Sequence, residues 1–491
     1  MLQHENGPID STGQEKLARS SFVIIAILIV ATFVVNLNET ILGVALPKVM
    51  GDLKIQPSTG QWLNTSYLIT MAVVIPVTGF LQQRFSTRAL YSAAMLAFSV
   101  GTLIGGIAPT FEILLVARIF QAAGSAVMFP LLITTMMTLV PDNLRGRIMG
   151  NIGILMSVAP ALGPAASGLI LSFLGWRWLF WLILPIALVT SFFGARRIKP
   201  TDNLSKASVD VFSVILSAFA FAGLIYGLSS FGEAARGHAA VSPWVPLGVG
   251  SVAMTIFILR QIKLAKTDRA LLNLNTFKYP TFTISTALMG IAMMFLFGLG
   301  ILIPIYTQQA LGFSPLETGL ILLPGGLAMG LLSPVVGRLF DAVGSKKLLI
   351  PGAIALSASF WYMTTFDVYT QNWQILVAFT AMSVSLAFMF TPLFAMSMSS
   401  VEPKLYSHAS ATVGSIQQIF GAAGTALFIV ILTVVSVSAT NNGKSASESI
   451  ALGAHSAIIS GAMLSLLVVV LAFLLKESKQ TKSEVPLPFN E

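Results

Sequence analysis

The sequence predicts an all-α polytopic membrane protein: 14 transmembrane helices forming two six-helix bundles plus two inserted helices. Three observations carry this. Of 491 residues, 55% are hydrophobic and only 10% are charged, with a mean hydropathy of +0.84. A soluble chain of this length needs roughly a quarter of its residues charged to cover its surface. The apolar residues come in unbroken runs near the ~20 residues that span a bilayer as a helix, not in the short alternating segments of a β-barrel. Finally, one part of the chain repeats another at a fixed offset.

The candidate spans lie near 22–46, 61–82, 90–108, 112–139, 148–173, 178–197, 210–231, 243–261, 280–308, 315–339, 348–366, 372–398, 409–437 and 451–475. The first follows about 20 polar residues and has no small-residue cleavage site after it, so it reads as a retained anchor. Near its middle stands Asn36-Leu37-Asn38-Glu39-Thr40. A charge at bilayer depth costs about 2.5–3.5 kcal/mol on the lenient insertion scale, so Glu39 calls for a functional reason. The fourth span holds Arg118, read as the only cation inside a span. The fifth holds Gly163, Pro164 and Gly168. Every other acid falls in a loop, at a span end or in a tail, with Asp210 read as a helix-start acid.

Charge sets the expected orientation. With the N-terminus inside, outer loops hold Lys48, Lys54, Arg177, Arg236 and Lys444, Arg118 lies within a span, and the remainder of the 28 basic residues face the cytoplasm. That is the positive-inside bias, and it requires an even number of spans, with both termini cytoplasmic in a plasma membrane. The basic excess is therefore a topology signal, and nucleic acid is not an expected partner. Zero cysteines exclude disulfides and thiolate chemistry. His4, His238, His408 and His455 are too scattered for a metal cluster; His238 and His455 are assigned to outer loops without a specific role. No acid–base pair, nucleophile–base set or phosphate loop suggests an enzyme, and no cofactor is expected.

Gly79-Phe80-Leu81-Gln82-Gln83-Arg84 ends the second span and Gly337-Arg338-Leu339-Phe340-Asp341-Ala342 the tenth, an offset of 258 (337 − 79). The same offset carries Pro280, at the start of the ninth span, onto Phe22 at the start of the first. The expected organisation is a tail over 1–20, an N-terminal bundle over 21–200, two inserted helices over 201–270, a C-terminal bundle over 271–476 and a tail over 477–491. Parallel six-span repeats of this kind build major facilitator transporters.

At these residues the chain resembles the fourteen-helix drug:proton antiporters of the major facilitator superfamily, over roughly residues 20–475. Asn38-Glu39-Thr40-Ile41-Leu42-Gly43-Val44-Ala45-Leu46-Pro47 is similar to the family's first-span motif, which commonly has Asp where Asn38 stands. The acid moves by one position, about 100° around a helix. Gly337 to Lys347, including Arg338, Asp341 and Gly344, matches the cytoplasmic-loop motif. The N-half copy is degraded, with Gln83 for the acid and Ser86 for a glycine. Arg118-Ile119-Phe120-Gln121-Ala122-Ala123-Gly124 resembles the fourth-span motif, with Ala122 for a glycine. Ala159-Pro160-Ala161-Leu162-Gly163-Pro164-Ala165-Ala166-Ser167-Gly168 resembles the antiporter motif of the fifth span. Trp176-Arg177-Trp178 resembles the approach to span six.

Each singled-out residue has a plainer reading beside the functional one. Removal from water disfavours a charged carboxyl, so Glu39 is the candidate proton carrier; the plainer alternative is a structural acid bonded to another helix. Asn36 (i−3) and Gly43 (i+4) share its face, as cavity lining or as helix–helix glue. Arg118, with Gln121 and Ser125 on one face, either tunes the proton site or snorkels to the outer interface. The resemblance makes Gly163, Pro164 and Gly168 a gating element, against ordinary small-residue packing. It makes Gly337, Arg338, Asp341 and Gly344 a cytoplasmic latch, against a solvated turn. Asn38, Trp62, Asn64, Tyr67 and Gln121 are candidate pocket residues in the first half, and Met293, Phe297, Tyr306, Gln417 and Gln418 in the second; the plainer reading of each aromatic is a lipid-facing or packing side chain. Phe297 is the repeat equivalent of Glu39, so the proton site is expected in the first half alone.

The resulting expectation is a monomeric proton-coupled exporter of hydrophobic or amphipathic drugs, neutral or monocationic. Its partners are the small-molecule drug, protons and the lipid bilayer. A different cargo (an endogenous lipid or metabolite) and a non-transporting membrane receptor stay open.

Overall fold

A computed structural model of the chain describes residues 19–55, 57–141, 173–198, 210–235, 241–267 and 269–475, with scattered positions between 144 and 171. Among the described residues there is no strand. The α-helices are α1 (Arg19–Leu53), α2 (Pro57–Arg84), α3 (Thr87–Ile107), α4 (Phe111–Leu139), α5 (Trp178–Arg197), α6 (Val211–Ala235) and α7 (Trp244–Leu264). They continue with α8 (Pro280–Ile305), α9 (Pro315–Val343), α10 (Lys346–Met363), α11 (Asn372–Ser399), α12 (Tyr406–Asn441) and α13 (Ala446–Leu474). Among the described residues, twelve spans are long and apolar enough to cross a membrane. Helix α10 falls outside that set because it opens on Lys346-Lys347. The predicted span over 148–173 lies mostly outside the described residues.

These segments are helical because a helix satisfies every backbone amide internally, as hydrocarbon demands. Proline interrupts several of them (Pro76, Pro130, Pro185, Pro324, Pro334, Pro351, Pro392), which neighbouring helices accommodate. Pro304 lacks a donor near the end of α8, and the chain widens there into a π turn over Tyr306–Ala310. Reciprocal capping boxes, Ser314 with Glu317 and Ser445 with Glu448, start α9 and α13.

The packing scheme occurs twice. Helix α4 packs on α2 and α3, and α5 on α1 and α3. Correspondingly α11 packs on α9 and α10, and α13 on α8 and α10. The 258-residue offset relates α2, α3 and α4 to α9, α10 and α11, and α13 begins 268 residues after α5 (446 − 178). Helix α12 joins the halves, packing on α2 and α4 as well as on α8 and α13.

Helices α6 and α7 pack against each other so closely that the Gly223 and Gly250 backbones touch, and a methyl at either would overlap the other. Helix α6 also contacts both α2 and α12. The inserted pair thus shares a small apolar core with the helices where the halves meet. Ala72 and Phe80 come from α2, Ala220, Phe221 and Phe257 from the hairpin, Leu271 and Leu272 from the connector, and Ala411 from α12.

Arg84, Arg88, Arg196, Arg197, Arg338, Lys346 and Lys347 lie at the same end of the bundle, where α2 ends and α12 begins. The halves touch at this basic face. Gln83 Nε2 donates to His408 Nε2 over 2.8 Å, and the Thr134 and Ser410 hydroxyls lie 2.9 Å apart. A methyl on Gly79 would press on Ser407 O, His408 and Ala411, each within 3.3 Å.

Candidate functional site

The middle of the N-terminal half holds a buried polar network centred on Arg118. Its fourth-span position carries it inside α4, where it is 1% exposed. Its Nη1 donates to Asn38 Oδ1 (3.2 Å) and Gln121 Oε1 (3.0 Å), and its Nε to Leu63 O (3.4 Å). The guanidinium also lies 4.1 Å from the Tyr67 ring centroid, a cation–π contact. Tyr67 donates to Ser125 Oγ (2.8 Å), and Ser125 to Gln121 O (2.9 Å). Gln121 Nε2 in turn donates to Thr102 Oγ1 (3.0 Å). The fork geometry of arginine suits such a set of fixed acceptors.

The partner of Arg118 is therefore Asn38, the residue standing where the resembled motif carries Asp. Glu39, one position on, makes no hydrogen bond into this network, although it lies near enough for its charge to act on Arg118 and Tyr67. It is half-buried, and among the described residues it receives no side-chain hydrogen bond and forms no ion pair with Arg118. Asn36 and Asn64 are half-buried too. Gly163 approaches the same stretch of α1 from the fifth span, where a methyl would overlap Thr40 Oγ1. Thr40 adjoins Glu39, so a glycine is required for that approach.

Asn38, Tyr67, Arg118 and Gln121 are thus brought together. Other candidates are not part of that network. Trp62 is 43% exposed and stacks on Tyr226 of the inserted hairpin, with centroids 5.6 Å apart. Met293 is buried in the C-half core, whereas Phe297 is 42% exposed. Tyr306 is buried, donates to Asp367 O (2.5 Å) and stacks on Phe366, so in this conformation it ties the π turn to the α10–α11 connection. Gln417 is buried with its amide nitrogen lacking a protein hydrogen-bond partner, and Gln418 is half-buried. In the tenth-span motif Gly337 is buried, Arg338 is exposed, and Gly344 takes φ +84° as its N–H closes α9 on Phe340 O. Pro164 and Gly168 lie outside the described residues, as does the side chain of Asp341.

Two sequence expectations need correction. Arg118 is not the only cation within a span, because Arg260 lies in α7, one turn before its end. It forms a two-pronged pair with Asp210, Nε to Oδ2 at 2.8 Å and Nη2 to Oδ1 at 2.9 Å. The paired charges sit where hydrophobic length alone blurs a helix end. His455 lies within α13, not in a loop, and contacts Thr364 O at 2.8 Å. The signal for the first pair was present: opposite charges at the adjoining ends of two consecutive antiparallel helices. The role of Thr102 had no sequence signal, since its partner Gln121 sits on a different helix.

A helical bundle with an internal packing repeat and a polar network buried at membrane depth defines a membrane transporter. The family model of the Major Facilitator Superfamily matches residues 28–425 and 285–491, and the chain belongs to that superfamily. It is a multi-pass membrane transporter and not an enzyme. It is 36% identical to an uncharacterized MFS-type transporter, YcnB of Bacillus subtilis, over 97% of this chain and 99% of that protein. It is 35% identical to the lincomycin resistance protein LmrB of Listeria monocytogenes, over 86% of this chain and 88% of that one. A multidrug resistance protein B homolog of Mycobacterium tuberculosis is 27% identical, over 82% and 75% respectively. In fold, the chain is similar to the human organic anion transporter MFSD10, with a TM-score of 0.67 at 15% identity. That alignment covers 92% of this chain and 99% of that one.

Proposed function

We propose that the chain is a proton-coupled drug exporter of the fourteen-helix branch, with Glu39 as the coupling carboxylate. Its two bundles, 21–200 and 271–476, rock about the site while the helices of 201–270 ride beside them, and both termini lie in the cytoplasm. The observation that carries the reading is the division of labour between adjacent residues. Asn38 holds Arg118, so Glu39 is left at membrane depth without a counter-charge in contact. A carboxyl so placed is costly when ionised and is free to take a proton from the outer side, give it up inside and alternate with cargo. One carboxylate implies one proton per cycle, which suits a neutral or monocationic amphipathic compound.

The close approach of Gly163 to Thr40 supports a role for the fifth span in sealing this site. The unpartnered amide of Gln417 supports a substrate contact in the second half, because a buried donor without an acceptor costs about 1–3 kcal/mol. The relatives named for lincomycin and multidrug resistance support drugs as cargo. Drug-induced proton release from the purified protein tests the reading. Release is expected from the wild type and little from Glu39→Gln. Equal release from both would move the coupling role to another residue.

A further inference from the structure

The inserted hairpin touches both halves at the basic face, and its polar residues run in a continuous chain to the contact between them. It begins at the Asp210–Arg260 pair. Ser213 donates to Asp210 Oδ2 (2.5 Å) and accepts from Arg260 Nε (3.2 Å) and from Gln261 Nε2 (3.0 Å). Gln261 is fully buried, and its Oε1 accepts from the backbone N–H of Leu271 (2.8 Å) and of Leu272 (3.4 Å). On its other side, Leu271 presents its carbonyl to His408 Nδ1 at 3.1 Å. A carbonyl only accepts, so Nδ1 carries the proton, and in the neutral ring Nε2 is the acceptor. That nitrogen receives Gln83 Nε2 from the opposite half.

We infer that the α6–α7 hairpin positions the inner gate: it holds Leu271 so that His408 presents Nε2 to Gln83. The inference rests on the alternating-access reading of the transporter fold and is independent of Glu39. Its physical basis is that each link has one geometry. Gln261 uses both ends of its amide, its oxygen on the connector and its nitrogen on Ser213. Ser213 is oriented by an acid that Arg260 grips with two prongs, a pairing that fixes direction as well as distance. The Gly223–Gly250 contact leaves the two helices little room to slide. The shared core of Phe80, Phe221, Phe257, Leu271 and Ala411 packs the hairpin against α2 and α12. Gln83 stands at the acid position of the degraded N-half motif, so an amide–imidazole contact holds the gate where the sequence lacks a carboxylate.

The chain contains no cysteine, so a Thr134→Cys, Ser410→Cys pair reports gate closure in the full-length protein in liposomes through its disulfide-formation rate. The hydroxyls it replaces face each other across the halves at 2.9 Å. His408→Ala should slow cross-linking about five-fold, the equivalent of one hydrogen bond of about 1 kcal/mol. Gln261→Leu should slow it comparably, and the two combined should do no more than either alone, because they break one chain. An unchanged rate in Gln261→Leu overturns the inference, and so does a combined effect near the product of the two. If Gln261→Leu fails to fold, Asp210→Asn carries the same comparison with His408→Ala, under the same two criteria. Loss of proton release in Glu39→Gln, or its persistence, leaves these rates unaltered, so failure of the coupling reading and failure of this one are distinguishable.

Discussion

Replacing Asn38 by leucine tests how the site keeps Arg118 from pairing directly with Glu39. Leucine keeps the branched outline of asparagine, is somewhat larger and has no acceptor, so the change removes the 3.2 Å contact to Arg118 Nη1 without opening a cavity. A hydrogen bond to a charged group is worth about 1.5–3 kcal/mol, and Arg118, at 1% exposure, is shielded from bulk water. The remaining acceptors are Gln121 Oε1 and Leu63 O, the latter long at 3.4 Å. Asn38→Leu should therefore lower stability by about 1.5–3 kcal/mol, seen as a lower unfolding temperature of the purified protein. It should also reduce drug-induced proton release, because a freed guanidinium is drawn to the adjacent carboxylate. Asn38→Asp supplies an acceptor again and should keep most of the stability, while adding a second carboxylate to the site. Wild-type stability in Asn38→Leu, with wild-type proton release, would refute the assignment of Asn38 as the residue that holds Arg118.

Gly163→Ala should reduce export, because a methyl there overlaps Thr40 Oγ1 beside Glu39; overpacking of this kind costs about 1–3 kcal/mol, and efflux measured at matched expression checks it. Asp210 gives the pH dependence. Hydrogen bonds from Arg260, with help from Ser213, hold its carboxyl below the usual aspartate range. A depressed carboxyl stabilises the fold at pH values above its unfolded value, and that contribution is lost as pH falls through the folded value. The stability gap between wild type and Asp210→Asn should thus be constant from neutral pH down to about 5 and close only in stronger acid. Thermal unfolding of both proteins across pH checks this, and a gap that shrinks near neutrality would contradict it.

Much of the architecture was legible from one-dimensional regularities. Apolar runs near bilayer length mark spans because hydrocarbon leaves the backbone no other partner, and the helices fall where those runs lie. The repeat offset between Gly79 and Gly337 anticipated the doubled packing of α4 on α2 and α11 on α9. Within the fourth-span motif, the placing of Arg118, Gln121 and Ser125 on one face followed from helical spacing, and the network uses all three. Other candidates were less well served. Tyr306 looks like a pocket aromatic in sequence, yet it is folded back onto Phe366 by the turn that Pro304 initiates.

The sequence by itself determined the helical membrane class, the duplicated halves and the presence of an acid and a base at membrane depth. Each of these follows from local composition and spacing, which need no knowledge of neighbours. Only the tertiary structure decided that Arg118 answers to Asn38 instead of Glu39, and that Gln261 is linked through Leu271 to His408 and Gln83. Those pairings join residues far apart in the chain. Which of two adjacent side chains meets a third depends on rotation about a helix axis, and that is set by packing.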